Sequence, residues 1–170
     1  MEYVLETERL ALRELEPDDL EFLVAMMGHP DVNRYYERPF DRRDCTAWLE
    51  KQLQRYHRDG HGLWLVLDRA DEKPMGQVGL MIQQVEEKQF PEIGWLLHRP
   101  YWGHGYATEA AAGVRDAAFS VWNYPAVISL IRPENVPSQH VAERIGMAPG
   151  PEVDFHGYRH IVYGISAPET

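Results

Sequence analysis

The stretch Glu92-Ile-Gly-Trp-Leu-Leu-His-Arg-Pro-Tyr-Trp-Gly-His-Gly-Tyr-Ala-Thr-Glu-Ala110 reads as a strand, a glycine-bearing loop and the start of an alanine-rich helix. Gly103 and Gly105 remove side chains where the backbone must turn and come close to a ligand. The helix expected from about Thr108 aims unpaired N–H groups and the positive end of its dipole at the same loop. Such a loop is an anion site into which a diphosphate fits. Taken alone, a Gly-x-Gly pair is also what a tight turn ahead of a helix requires. A dinucleotide fingerprint is a poorer match, because threonine stands at position 108 in place of the third glycine and the preceding strand belongs to a meander.

Upstream of this segment, Gly62–Leu67, Met75–Ile82 and Phe90–His98 read as three antiparallel strands, joined by the turn-like Asp68–Pro74 and by a turn at Glu86-Glu87-Lys88. Further back, Thr7–Leu15 suits a first strand, with Leu10, Leu12 and Leu15 on offset faces. Pro17-Asp18-Asp19 opens a helix in which Leu20, Leu23, Val24 and Met27 recur at helical spacing before Gly28 and Pro30 stop it. A second helix runs from about Asp41 to His57, with Trp48, Leu49, Leu53 and Tyr56 on one stripe. The aromatic segment Asn33–Phe40 between the helices has no period and reads as a loop, its Tyr35, Tyr36 and Phe40 serving either as the wall of an acceptor pocket or as core plugs.

Downstream, the helix Thr108–Phe119 carries small residues that permit close approach to a sheet or a ligand, and Pro125–Ile131 is a strand of the buried type. A short helix follows Pro133–Ser138, with Val141 and Ile145 one turn apart and Gly146 as its stop. Two last strands, around Glu152–Phe155 and Tyr158–Ile165, are separated by His156-Gly157. No repeat, low-complexity tract or linker divides residues 1–170, so a single α+β domain is expected.

The 170 residues are 44% hydrophobic and 11% aromatic, enough for a real core. A formal charge of -10, with no basic run longer than Arg42-Arg43, argues against nucleic acid as a partner and is compatible with cationic substrates. No long apolar run or basic leader is present, so no membrane association and a cytoplasmic location are expected. Cys45, the only cysteine, lies in a helical pattern and reads as a helix residue rather than a nucleophile. Among eight histidines, the pairs His57/His61 and His156/His160 have metal-like spacing but no evident third ligand, and no metal is expected.

The order strand, helix, helix, meander, Glu-Ile-Gly-Trp, then Tyr-Trp-Gly-His-Gly-Tyr-Ala-Thr-Glu-Ala, and later Asn135-x-x-Ser138-x-x-Val141-x-Glu-Arg-Ile-Gly-Met147, resembles the GNAT superfamily of acetyl-CoA-dependent N-acetyltransferases. Within it the chain is most similar to the RimJ/RimL-like branch, which acetylates protein N-termini and other amines. The resemblance runs from Glu8-Arg9-Leu10 to the last strand. It implies a mixed, mostly antiparallel sheet of six or seven strands, splayed between the fourth and fifth, with about four flanking helices.

The same resemblance implies a set of site residues. Backbone amides of Gly103, His104, Gly105, Tyr106, Ala107 and Thr108 would hold the diphosphate of acetyl-CoA, and Leu96, Leu97 and His98 would pair with its pantetheine arm. Trp102 departs from the usual first residue of the loop, as is common in this branch. Asn135 would lie beside the cofactor, a position its role as a helix cap also suits. Glu92 would be the base, directly or through water, and Ser138 would stabilise or protonate the leaving thiolate, unless they are a solvated acid and a first-turn serine bonded to backbone. Tyr35 and Tyr36 would line the acceptor site. Ala142 stands where many family members carry a tyrosine acid, which leaves the proton to Ser138 or water. The implied reaction is direct attack of a primary amine, a protein N-terminus or a small cationic molecule, on acetyl-CoA in a ternary complex. A non-catalytic acyl-CoA sensor and a cofactor-free interaction domain are the competing readings. Acceptor choice would reside in the loops 33–40 and 155–160, and either a monomer or a homodimer is compatible with the chain.

Overall fold

The computed structural model describes residues 2–169. Among the described residues eight strands form one sheet: β1 (Leu5–Glu6), β2 (Leu10–Glu14), β3 (Leu63–Asp68), β4 (Pro74–Val85), β5 (Lys88–Leu97), β6 (Ala126–Ile131), β7 (Ala148–Phe155) and β8 (Tyr158–Ser166). Their order across the sheet is β1-β2-β3-β4-β5-β6-β8-β7. The strand beyond the expected number is β1, too short to carry a period and held by its pairing of Leu5 with Leu12 and Glu6 with Ala11. Four α-helices flank the sheet: α1 (Leu20–Met27), α2 (Arg42–Asp59), α3 (Tyr106–Ser120) and α4 (Val136–Arg144). Among the described residues, no helix is long and apolar enough to cross a membrane.

Both sheet faces are covered, and β3 shows why its sequence lacks a polar side. Trp64 and Val66 join a cluster with Leu10, Leu12, Ala110, Ala111, Val114 and Ala118, whereas Leu65 and Leu67 join Leu23, Met26, Met27, Cys45 and Leu49 on the other face. Each fully buried leucine of these clusters contributes about 1.5–3 kcal/mol. The small residues of α3 are what let it lie close on the first face. Helix α2 begins with a reciprocal cap, Asp44 N–H donating to Asp41 and Asp41 N–H to Asp44, both at 2.9 Å, and ends at Gly60 with φ +80°. Cys45 is buried within it, as expected of a helix residue.

The β7–β8 hairpin turns at His156-Gly157, with φ of +50° and +84°, between the paired Phe155 and Tyr158. That is the conformation a two-residue hairpin loop demands. Strand β7 begins four residues before the expected Glu152, the register slipping between Pro149 and Glu152 at the sheet edge. A bulge and prolines there suit an unpaired edge.

The sheet is antiparallel except where β5 meets β6, and there a single parallel register pair exists, Glu92 with Ile128. Beyond it the two strands part, each still held on its other side by β4 or β8. Gly76 lets β4 lie close on β5, and Gly79 lets it lie close on β3: a Cβ on Gly79 would come 2.0 Å from the Gly62 carbonyl oxygen and 2.7 Å from Leu63 Cα. Both obstacles are backbone, so no rotamer change relieves them. Gly79→Ala should lower the unfolding free energy by about 3 kcal/mol or more, read by urea denaturation.

Candidate active site

The opening between β5 and β6 leads into a cavity of about 880 Å³. Its walls come from β5 (Trp95, Leu96, Leu97), the loop and first turn of α3 (Gly103, Gly105, Tyr106, Ala107, Thr108), and α4 with its cap (Asn135, Pro137, Ser138, Arg144). The loop after α1 (Asp31, Val32, Arg34, Tyr35) and the turn after β5 (Arg99, Tyr101, Trp102) close the rest.

The loop has the conformation that its glycines permit. Gly103 and Gly105 have φ of +81° and +78°, in the left-handed region. Helix α3 starts at Tyr106, two residues before the expected Thr108, with Gly105 as its cap. No side chain caps it, which leaves the first-turn amides at the cavity wall free to meet an anion. His104 lies outside the lining, its ring beside Tyr106.

A buttress that the sequence pattern did not disclose fixes this loop from the far end of the chain. Arg9 donates through Nη1 to the His104 carbonyl (3.0 Å), and its Nε pairs with Glu109 Oε1 (2.7 Å). Thr7 Oγ1 donates to Glu109 Oε2 (2.5 Å). Burial pushes the Glu109 carboxyl up, but the hydrogen bonds from Thr7 and Arg9 outweigh it and hold the group below its ordinary range.

Strand β5 presents alternate backbone groups to the opening. His98 N–H donates to Met75 O (2.9 Å), and with the register Gly76–Leu97, Gln77–Leu96, Val78–Trp95 the alternation turns the amides of Leu96 toward β4 and those of Trp95 and Leu97 toward β6. The expected set Leu96, Leu97 and His98 is thereby shifted in register: only Leu97 of the three faces the fork, and Trp95 joins it. The Leu97 carbonyl already accepts from Trp102 Nε1 (2.9 Å). His98 lies outside the lining and packs its ring edge-on against Phe22 and His29.

Asn135 caps α4, its Oδ1 accepting from Ser138 N–H at 3.2 Å, and it also lines the cavity. The Ser138 hydroxyl oxygen accepts from Trp95 Nε1 (3.3 Å). That bond leaves the hydroxyl hydrogen available to another acceptor. Ala142, one turn further, is fully buried in the core and turned away from the cavity.

Glu92 is not the solvated acid that one reading of the sequence allowed. It is 7% exposed, at the one residue pair that joins β5 to β6. Its Oε2 accepts from Leu130 N–H (2.7 Å) and its Oε1 from Gln83 Nε2 (3.1 Å). Burial raises its carboxyl to about 7, the two hydrogen bonds and Arg55 pulling the other way. It does not line the cavity, whose β5 wall ends at Trp95.

The two loop tyrosines separate. Tyr35 lines the cavity and its carbonyl accepts from Arg132 Nη1 (2.6 Å), whereas Tyr36 packs on Phe40 (ring centroids 4.9 Å apart) against the second core cluster. His61 is fully buried between the Leu80 carbonyl and the Tyr124 hydroxyl, each at 2.7 Å, so its ring nitrogens are committed to the core. Among the described residues no group of three His, Cys, Asp or Glu side chains converges.

A family model described as "Acetyltransferase (GNAT) domain" matches residues 9–148. The chain belongs to the GNAT acetyltransferase family. YkkB of Bacillus subtilis is 35% identical over 144 residues, 84% of either chain. The crystal structure of an acetyltransferase from Agrobacterium tumefaciens superposes with a TM-score of 0.84 at 32% identity, covering 96% of this chain and 94% of that one. RimL, a ribosomal L7/L12 α-N-protein acetyltransferase solved with coenzyme A, has the same fold, with a TM-score of 0.77 at 13% identity over 97% and 98% of the two chains. GNAT enzymes take the acetyl group from acetyl-CoA, and in this acetyltransferase the uncapped amides of α3 and the β5 edge border one cavity.

The buried carboxyl gives the acetyltransferase a pH-dependent stability. Glu92 ionises at 4.5 in the unfolded chain and at about 7 in the folded one. A raised pKa contributes stability that is fully present below the unfolded value and lost as the pH rises through the folded value, here amounting to about 3 kcal/mol. Glu92→Gln removes this titration while an amide oxygen can still accept from Leu130. Its melting temperature relative to the wild type should therefore climb from about pH 5 to about pH 8. A pH-independent difference would mean the carboxyl is not held near neutrality.

Proposed function

We propose that this GNAT enzyme transfers the acetyl group of acetyl-CoA to a primary amine, either a protein N-terminal α-amine or a small cationic amine, by direct attack in a ternary complex. The observation that carries the reading is the continuity of one cavity, from the uncapped amides of α3 past the fork-facing groups of Trp95 and Leu97 to Ser138. In this arrangement the diphosphate rests on the amides of residues 103–108. The pantetheine arm lies in the fork and pairs with the N–H and C=O of Trp95 and the N–H of Leu97, like an added strand. Arg34, Arg99 and Arg144 on the walls outnumber Asp31 and favour a polyanionic substrate.

Ser138 is the group that meets the leaving thiolate, because its oxygen is held by the Trp95 indole while its hydrogen stays available to another acceptor. Glu92 has the proton affinity of a base working near neutral pH. Both its oxygens are engaged and it stands back from the cavity, so the amine's proton reaches it through water. An α-amine with a pKa of about 8 is partly neutral near pH 7 and needs little help, whereas a lysine amine near 10.4 needs much more, roughly in proportion to its protonated fraction. This favours the α-amine or a similarly weak base. Tyr35 and the hairpin tip at 155–160 form the variable surround of the acceptor, in keeping with a RimJ/RimL-like enzyme.

Two substitutions test the placement. Gly105→Glu puts a charged side chain at a left-handed position beside the expected diphosphate, and should weaken acetyl-CoA binding in calorimetry by about 100-fold or more in a folded protein. Ser138→Ala should lower kcat by about 100-fold with little change in acetyl-CoA affinity, measured by thiol release against N-terminal peptides, polyamines and aminoglycosides. An unchanged kcat would remove the serine from the proton-transfer step.

A further inference from the structure

We propose that Arg55 is the buried counter-charge of Glu92, a positioning residue on α2 that keeps the carboxylate form of Glu92 attainable beneath the fork. Its effect on turnover rests on the reading of Glu92 as the base; its effect on the carboxyl does not.

Arg55 is 5% exposed, which is rare for a guanidinium without a carboxylate against it. Its Nη1 donates to Gln52 Oε1 (3.3 Å) and touches Met81 Sδ (3.2 Å), and its buried Nε has no hydrogen-bond partner among the described residues. The acid nearest in sequence, Asp59, is taken by Arg58 at 2.8 Å. Such a site leaves a positive charge largely uncompensated, which a folded protein tolerates only where something nearby uses it.

Glu92 is the group placed to use it. Met81, which Arg55 touches, is the register partner of Glu92 across β4 and β5, so the two side chains share a face. Gln83, two residues on along β4 and on that same face, donates to Glu92 Oε1 at 3.1 Å and lies 4.0 Å from Met81 Sδ. Gly94 leaves the space that Met81 occupies, since a Cβ there would come 2.7 Å from Met81 Cε. Gln52 holds the guanidinium in place from α2, its Oε1 also accepting from Leu63 N–H at 3.0 Å.

The groups facing Glu92 are thus Gln83 and Met81 from β4, the Leu130 amide from β6 and Arg55 from α2. Of these only Arg55 carries charge, and it lowers the carboxyl pKa against the rise caused by burial. Besides Glu92, the charged neighbours of Arg55 are Lys51, a like charge one turn back on α2, and Arg58 and Asp59, which are already paired with each other. With the guanidinium removed, the carboxyl would hold its proton to a higher pH.

The test is an NMR pH titration of protein carrying 13C-carboxyl glutamate, with Glu92→Gln identifying the resonance. In the wild type Glu92 should titrate at about 7. In Arg55→Met, which keeps an unbranched apolar stem without the charge, the midpoint should rise by about one pH unit or more, and Arg55→Lys should bring it back toward the wild-type value. Arg55→Gln, which keeps a polar donor without the charge, replaces the methionine variant if that one does not fold. An unmoved Glu92 titration in a folded, uncharged variant overturns the proposal. The acid limb of the kcat profile, taken with an accepted amine, should move with the NMR midpoint. A moved midpoint with a fixed limb would leave the Arg55–Glu92 couple standing and refute Glu92 as the base.

Discussion

Strands β5 and β6 are neighbours in one sheet, yet they share a single register pair, Glu92 with Ile128. Two side chains complete that junction: Glu92 accepts from the Leu130 amide and Ser129 Oγ donates to the Ile93 carbonyl, each at 2.7 Å. The strands can part beyond this point because each keeps a full antiparallel partner on its other side, β4 for one and β8 for the other. Unpaired strand edges are costly in a core but useful where a ligand supplies the missing partner. The cavity, the exposed groups of Trp95 and the approach of α4 all follow from that divergence.

Electrostatics divide the protein into two regimes. The chain as a whole carries -10, while the cavity walls carry three arginines and one aspartate. An overall acidic balance is thus a poor guide to what the cavity binds: the sign that matters to a phosphate is local, because bulk charges are screened over about 10 Å in ordinary buffer. Beneath the fork lies a second local regime, in which two buried ionisable groups, Glu92 and Arg55, are kept from water by the sheet and α2. Low exposure there makes each charge matter more than any surface pair, and it leaves the carboxyl poised near neutrality.

Much of the architecture was legible in the chain because it rests on short-range chemistry. Alternation and turn residues placed the meander, the small residues of α3 announced a helix that lies close on a sheet, and His156-Gly157 marked a hairpin tip. Other features depended on partners far away in sequence. Strand β1 is two residues long and is defined by β2 alone. The buttress of the glycine loop joins Thr7 and Arg9 to Glu109, a separation no local pattern spans. Tyr35 and Tyr36 are adjacent in sequence and alike in chemistry, and only the path of the loop sends one to the cavity and the other to the core.

The sequence by itself determined the fold family and the glycine loop ahead of α3, because a glycine pair before a helix and the order of periodic segments are properties of neighbouring residues. It also nominated Glu92 and Ser138 without stating their surroundings. Tertiary structure decided which backbone groups of β5 face the fork, since the pairing register with β4 turns Trp95 and Leu97 outward and Leu96 and His98 inward. It decided as well that Glu92 is buried between Leu130, Gln83 and the charge of Arg55. Burial and long-range Coulomb interactions are set by the assembled packing of β4, β5, β6 and α2, and no stretch of the chain contains them.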